Sequence, residues 1–138
     1  MWSQRSNAMQ SVLVSAMASV VCTSLCLGQL KPSPPSDASI KERQDLREHI
    51  VALQQAGDLI EAVQDAQQLL ELDRSLFGIP SEVVASTHLL LADLYQAQDD
   101  MSSCIRERTR VLAILTQLGG ADSPQAQEAR VGLSLAQS

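Results

Sequence analysis

Two histidines and one pair of serines are the residues with which this chain could carry out acid–base or nucleophilic chemistry: His49, His88 and Ser102-Ser103. A serine becomes a nucleophile when a base takes its proton and a third group orients that base, and the sequence indicates no such third group. Both histidines stand beside apolar positions, which favours partly buried packing residues. We therefore expect no catalytic residues and no enzyme; a small hydrolase that depends on His88 or Ser103 is the alternative.

Metal and cofactor sites need spacings that the sequence does not contain. No E-x-x-H or H-x-x-x-H spacing places two ligands on one helical face, and no glycine-rich phosphate loop occurs. Cys22 and Cys26 lie near the amino terminus, and Cys104 stands at a position that suits a buried, inert thiol. We expect no metal and no cofactor.

Arg106, Arg108 and Arg110 could form an anion-binding patch. On a helix, however, residues four apart share a face, so Arg106 and Arg110 lie together while Arg108 points elsewhere, near Glu107. We interpret the three arginines as a solvated helix surface.

Length and composition predict one small helical domain. The chain has 138 residues, with 16 acidic against 10 basic side chains, and carries a formal charge of −6. This balance argues against nucleic acid as a partner, because basic side chains supply most of the affinity for phosphates. Trp2, Phe77 and Tyr95 are the only aromatic residues, so the core consists of Leu, Val, Ile and Ala.

The amino-terminal segment has the layout of a secretory signal peptide. Arg5 precedes an apolar run from Ser11 to Gly28 that ends in small residues. We expect residues 1–28 to be a signal peptide, or otherwise an uncleaved anchor that would be the only membrane contact. The protein would then be secreted or periplasmic.

Residues 29–39 are rich in proline and serine and are interpreted as a linker. Ser39 and Glu42 have the spacing of a capping box, which predicts that the first helix of a domain spanning residues 40–138 begins there. Asp58, Ser81, Asp100 and Ser123 are suitable N-caps for the helices that follow. The five predicted helices span 40–56, 58–76, 81–98, 100–118 and 123–137.

The apolar positions repeat along the chain. When the sequence is laid over itself so that Leu59 falls on Met101, six further apolar or small residues also fall on apolar or small residues. The pairs are Ala62 with Cys104, Val63 with Ile105, Leu69 with Val111, Leu70 with Leu112, Leu72 with Ile114 and Leu76 with Leu118. Upstream, the first predicted helix aligns with the third at a displacement shorter by one position, which sets Ile50 on Leu91, and the turn at Asp99-Asp100 absorbs the difference. The unit is a helical hairpin that occurs about two and a half times.

Two segments of this unit resemble a known repeat. Residues Val84–Tyr95 have the form V-A-x-x-H-x-x-L-A-x-L-Y, and residues Gly57–Ala62 have the form G-x-L-x-E-A. Together they resemble the tetratricopeptide repeat in its longer form, as in kinesin light chain. The resemblance implies an all-α fold, a short solenoid of about five helices in which the polar residues Gln127, Arg130 and Ser134 suit a terminal unit that faces water.

The resemblance also implies a function, because tetratricopeptide proteins hold peptides along the open face of the first helix of each hairpin. The matching residues here are Asp45, Glu48, Ala52, Gln55, Ser86, Leu89, Asp93, Gln96, Glu128, Val131 and Leu135. None is basic, so we expect a protein or peptide partner that is itself basic. The alternatives are that these residues simply face solvent, or that the protein is structural and forms a weak homo-oligomer.

Overall fold

The computed structural model of the protein describes residues 34–138, and every regular element within that range is an α-helix. The helices are α1 (Asp37–Ala56), α2 (Leu59–Phe77), α3 (Glu82–Ala97), α4 (Met101–Gln117) and α5 (Pro124–Gln137). The predicted all-α fold with five helices is therefore confirmed. Each helix boundary lies within three residues of its predicted position.

The predicted leader, 1–28, lies outside the described residues, as do residues 29–33 of the predicted linker. Residues 34–36 precede α1, and residues 37–39 already form its first turn. Among the helices of residues 34–138, none combines the length and the apolar character needed to cross a membrane.

The helices begin at side chains that accept backbone hydrogen bonds. The predicted N-caps Ser81, Asp100 and Ser123 each accept one from an amide of the first turn, whereas Asp58 occupies its N-cap position without a side-chain bond. For α1 the predicted capping box was wrong. Ser36, which directly follows the last proline of the segment, accepts the amide of Ser39 at 3.2 Å, so the helix begins three residues early.

The two hairpin turns correspond, and their difference explains the change of period. Gly57 ends α1 in the left-handed conformation, with φ 84°, and Asp99 has φ 60° at the matching place after α3. Aspartate is among the few non-glycine residues that tolerate this conformation. One further residue, Gln98, precedes Asp99 in the second turn and accounts for the slip of one position between the two alignments of the repeat.

Each helix packs against its neighbours in sequence, so the five helices form an antiparallel series. Hairpins α1–α2 and α3–α4 bury corresponding residues: Ala62 and Cys104 are both fully buried, and so are Leu69 and Val111. The predicted burial of the Cys104 thiol is therefore confirmed.

At two positions, the small and the large side chain change places between the helix pair α2–α3 and the helix pair α4–α5. Arg108 on α4 occupies the place of Ala66 on α2, yet it is only 5% exposed. Gly132 on α5, which occupies the place of Leu90 on α3, makes room for it, because a methyl group at Gly132 would overlap the guanidinium of Arg108. The expectation that Arg108 belongs to a solvated surface was wrong, because the missing side chain of Gly132 leaves space for the guanidinium between α4 and α5.

We predict that Gly132→Ala destabilises the protein by about 1–3 kcal/mol, because the new methyl group displaces the buried guanidinium of Arg108. Helix propensity alone predicts the opposite, a gain of about 0.5–1 kcal/mol from alanine inside a helix. The sign of the change in the free energy of unfolding, measured by urea denaturation, separates the two effects.

Gly120→Ala, in the turn between α4 and α5, is a control for the steric effect alone, since its nearest neighbour, the carbonyl oxygen of Leu115, would lie at 3.5 Å, an ordinary contact distance. The double variant Arg108→Ala, Gly132→Leu recreates the sizes found at Ala66 and Leu90 and should recover part of the loss. A stabilising effect of Gly132→Ala would contradict this account of the glycine.

Candidate functional site

Helix α3 lies between α2 and α4 and leaves one strip of its surface accessible. Ser86, Asp93 and Gln96 lie on or beside that strip. Leu89 does not: it is 8% exposed and belongs to the core, so its prediction as a groove residue was wrong. Because helices flank α3 on both sides, the accessible strip is narrow, and Leu90 is the leucine that stays partly exposed.

The buried guanidinium of Arg108 is hydrogen-bonded to three of the predicted residues. Its Nη2 donates to Oδ1 of Asp93 at 2.9 Å and to Oε1 of Gln96 at 3.1 Å, while Nη1 donates to the backbone carbonyl of Glu128 at 3.4 Å. Asp93, Gln96 and Ala97 line a shallow open depression of about 380 Å³. The structure therefore joins the α3 and α5 parts of the predicted surface through one buried cation.

The carboxyl group of Asp93 experiences opposing influences. Burial raises its pKa, the guanidinium of Arg108 lowers it, and the nearby carboxylate of Glu128 raises it again, so that the net pKa is above the ordinary value. A positive charge placed near both Asp93 and Glu128 would reduce the repulsion between these two carboxylates.

The α1 part of the predicted surface is separate. Asp45, Glu48, Ala52 and Gln55 are exposed, and Glu48 accepts a hydrogen bond from Gln44 at 3.0 Å. Within residues 34–138 no hydrogen bond or ion pair joins these four residues to those on α3 or α5. On α5, Glu128, Val131 and Leu135 are exposed, as expected for a terminal helix.

A second polar cluster, which the sequence did not predict, is centred on Glu107. Its carboxylate is 3% exposed and accepts from Nδ1 of His88 at 2.7 Å, from Arg106 at 3.3 Å and from Arg110 at 3.1 Å. Burial raises the pKa of Glu107, but the hydrogen bonds from His88 and Arg106 and the charge of Arg110 outweigh it, so the net pKa is lowered. Glu107 is therefore ionised and Nδ1 of His88 carries a proton.

The hydrogen bonds of this cluster bear on acid–base chemistry. His88 is buried, as predicted, and Glu107 is an orienting carboxylate of the kind that the sequence did not reveal. The other ring nitrogen of His88, Nε2, lies 3.5 Å from Nη2 of Arg74, and the hydroxyl of Ser103 accepts from Arg106 instead of contacting the imidazole. The imidazole of His88 therefore contacts the carboxylate of Glu107 and the guanidinium of Arg74, and no serine hydroxyl is hydrogen-bonded to it.

His49 was predicted to be a partly buried packing residue, and this was wrong. Its side chain is 56% exposed, and its Nδ1 lies 2.5 Å from Oδ2 of Asp65 on α2. Among the described helices α1 packs only against α2, so a position beside the core can remain open on that helix. Within residues 34–138, no three His, Cys, Asp or Glu side chains are grouped so that they could hold a metal ion.

A third cluster joins α1, α2 and α3. Asp73 is fully buried and accepts from Nε of Arg43 at 2.5 Å and from the hydroxyl of Thr87 at 2.6 Å. Arg43 also lies over the ring of Phe77, with 5.5 Å between the guanidinium carbon and the ring centroid. The repeat pattern gave no signal for this cluster, because the residue that corresponds to Asp73 in the second hairpin is Leu115.

Comparisons with protein-family models, with curated proteins and with solved structures find no match to this chain.

We predict that Glu107→Gln destabilises the fold by about 1–3 kcal/mol at neutral pH, because the cations around the residue lose their buried counter-charge. The folded-state pKa of Glu107 lies below the ordinary value of 4.5, so above that pH the carboxylate makes its full contribution to the free energy of unfolding. The contribution is lost as the pH falls through the lower folded-state pKa. Urea unfolding at a series of pH values between neutral and strongly acidic should therefore give a shallower loss of stability in the variant.

Glu42→Gln, at an exposed position of α1 beyond its first turn, is the matched control and should change neither the stability nor its pH dependence. Parallel pH profiles for Glu107→Gln and the original chain would contradict the proposed role of the carboxylate.

Proposed function

We propose that this chain is a non-catalytic helical-repeat module of the tetratricopeptide kind, which binds a basic segment of another protein. The segment lies along the acidic surface, which we define by Asp45, Glu48, Gln55, Ser86, Asp93, Gln96 and Glu128. The matching burial in hairpins α1–α2 and α3–α4 supports the repeat, although α4 and α5 depart from the common pattern at Arg108 and Gly132.

The observation that carries this proposal is the orientation of Asp93 and Gln96 by Arg108. Arg108 occupies Oδ1 of Asp93 and Oε1 of Gln96. Oδ2 of Asp93 is therefore left as an acceptor, and the amide nitrogen of Gln96 as a donor. A peptide backbone offers one N–H and one C=O per residue, which are the complementary groups. Two side chains held by a buried cation lose little entropy when such a backbone binds.

The remaining carboxylates determine the charge of the partner. Asp45 and Glu48 on α1 and Glu128 on α5 are exposed acidic groups. Exposed carboxylates attract lysine and arginine side chains and raise the rate of association more than the final affinity. Burial is the main reason why the pKa of Asp93 is raised, and the carboxylate of Glu128 adds to it; a cation from the partner would offset that second, smaller influence.

Export from the cytoplasm is part of the same proposal, and its support is the composition of residues 1–28. Intact-mass measurement of the endogenous protein tests it, because loss of the leader gives the mass of a chain that begins near residue 29. A mass for the whole chain in a cytoplasmic fraction would contradict export.

We predict that peptides selected by the full-length protein from a random library are enriched in lysine and arginine and bind more weakly as salt is added. Glu48→Lys with Glu128→Lys should reduce the association rate for the selected peptides by about tenfold, because two attractive charges become repulsive. Stopped-flow fluorescence with a labelled peptide measures the rate. These two residues are preferable to Asp93, whose substitution would also leave Arg108 without its partner.

Glu61→Lys with Asp122→Lys is the control, because it makes the same change of charge at exposed positions outside the acidic surface. Circular dichroism confirms that both double variants are folded. Equal binding by the two double variants, or selection of peptides without basic residues, would defeat the proposal.

A further inference from the structure

A cleft of opposite sign lies on another side of the molecule. It is formed between α2 and α4, with α3 as its floor, and has a volume of about 580 Å³. Three arginines line it: Arg74 from α2, and Arg106 and Arg110 from α4. We call it the arginine cleft. Its volume is within the range of about 300–1,000 Å³ that is usual for small-ligand sites.

Glu107 fixes two of these guanidinium groups in place. Arg106 binds it through Nε, and Arg110 binds it through Nη1. Because the carboxylate itself is buried and tied to His88, it cannot follow the arginines into solvent. The two side chains remain half exposed and are thus held at the edge of the cleft.

The arginines keep hydrogen-bond donors that no described residue uses. Nε and Nη2 of Arg110 and Nη1 of Arg106 have no partner among residues 34–138, and Nε of Arg74 is buried there without one. The free donors of Arg106 and Arg110 belong to half-exposed side chains, so an acceptor in the cleft can reach them, whereas Nε of Arg74 has no surface open to the cleft. Guanidinium groups pair best with planar or tetrahedral oxyanions.

The charges in the cleft indicate the charge of the ligand. Three arginines face two carboxylates, Glu71 and Glu107, which leaves one positive charge in excess. The chain as a whole carries −6, so this excess is local. A single negative charge balances the site, whereas a dianion or polyanion would exceed it and meet repulsion from the rest of the molecule.

The floor of the cleft indicates the remainder of the ligand. Leu70 and Leu91 are buried side chains that line it, and Tyr95 adds an aromatic ring. The hydroxyl of Tyr95 accepts from Gln67 at 3.1 Å and keeps its own proton to donate. Apolar surface beside oxyanion donors fits a molecule that carries both an apolar group and one acidic group.

We propose that the arginine cleft binds a carboxylate attached to an apolar group, as a site separate from the acidic surface. The carboxylate accepts from Arg106 and Arg110, while the apolar group packs against the partly exposed ring of Tyr95 and the small exposed edges of Leu70 and Leu91. The same chemistry occurs in a free carboxylic acid and in a glutamate flanked by leucines in a peptide.

The test uses the full-length protein and two matched pairs of probes, with binding followed by isothermal titration calorimetry and by the NMR signals of the arginine Nε–H groups. Inorganic phosphate is titrated as a further probe. The first pair is 3-phenylpropionate and its neutral amide. The second is a blocked peptide with one glutamate between leucines and the same peptide with glutamine. We expect each acidic probe that binds to do so at least about tenfold more tightly than its neutral counterpart.

Gln67→Glu places a negative charge in the cleft without touching the bonds of Glu107, and should weaken binding of the acidic probe by about tenfold. Gln68→Glu is the control, since it makes the same change at the next residue of α2, which is exposed but does not line the cleft. It should leave binding nearly unchanged. Equal thermal unfolding of the two variants confirms that the comparison concerns binding.

Each outcome decides the proposal. Binding of the small acid alone identifies a free carboxylic acid as the source of the group, and binding of the peptide alone identifies a protein segment. Equal affinity for acidic and neutral probes, equal effects of Gln67→Glu and Gln68→Glu, tighter binding of inorganic phosphate, or no binding of any probe would overturn it. Loss of peptide binding at the acidic surface leaves this test unaffected, because the two sites share no residue.

Discussion

A charge that is removed from water must find an opposite charge and enough hydrogen bonds to compensate for its lost hydration. Helix α4 buries two neighbouring charges of opposite sign, Glu107 and Arg108, and this requirement determines much of the surrounding structure. Glu107 requires His88 on α3, and Arg108 requires Asp93 on the same helix. The hydrogen bond from His88 to Glu107 and the ion pair between Arg108 and Asp93 lie at different heights along α4. Together they fix both the register and the rotation of α4 against α3, which apolar packing alone would leave more freely adjustable.

The same two residues connect the interior with the candidate sites. On one side, Arg108 supports the polar groups of the α3 strip and reaches the backbone of α5. On another, Glu107 holds the arginines at the edge of a cleft. A change in either buried charge would therefore alter a surface as well as the stability. Surface chemistry and core packing are not independent in this molecule.

The sequence predicted the parts of the fold that depend on apolar periodicity and on local chemistry. Helix number, helix boundaries, the N-caps at Ser81, Asp100 and Ser123, and the buried Cys104 follow from residues close to one another in the chain. The residues of the candidate surface were selected through the resemblance to a repeat, and Leu89 among them is buried because neighbouring helices narrow the open strip of α3.

The buried polar residues could not be predicted in the same way, because a charged residue is assigned to the surface unless its partner is known. The partner of Asp73 is 30 residues away in the chain, and that of Glu107 is 19 residues away. One signal was available. In the alignment that sets Leu59 on Met101, a large residue replaces Ala66 where a glycine replaces Leu90, and such a reciprocal change of size indicates two positions that meet.

That reciprocal change also limits how this array could grow. A solenoid lengthens when a hairpin is duplicated, provided that the outer face of one copy accepts the inner face of the next. A second copy of α3–α4 placed after α4 would set Leu90 against Arg108, where the structure has the bare backbone of Gly132. The arginine would then have to leave its pocket or the new hairpin would not dock. The buried position of Arg108 is thus compatible with the glycine of α5 and would clash with the leucine of a second copy of α3.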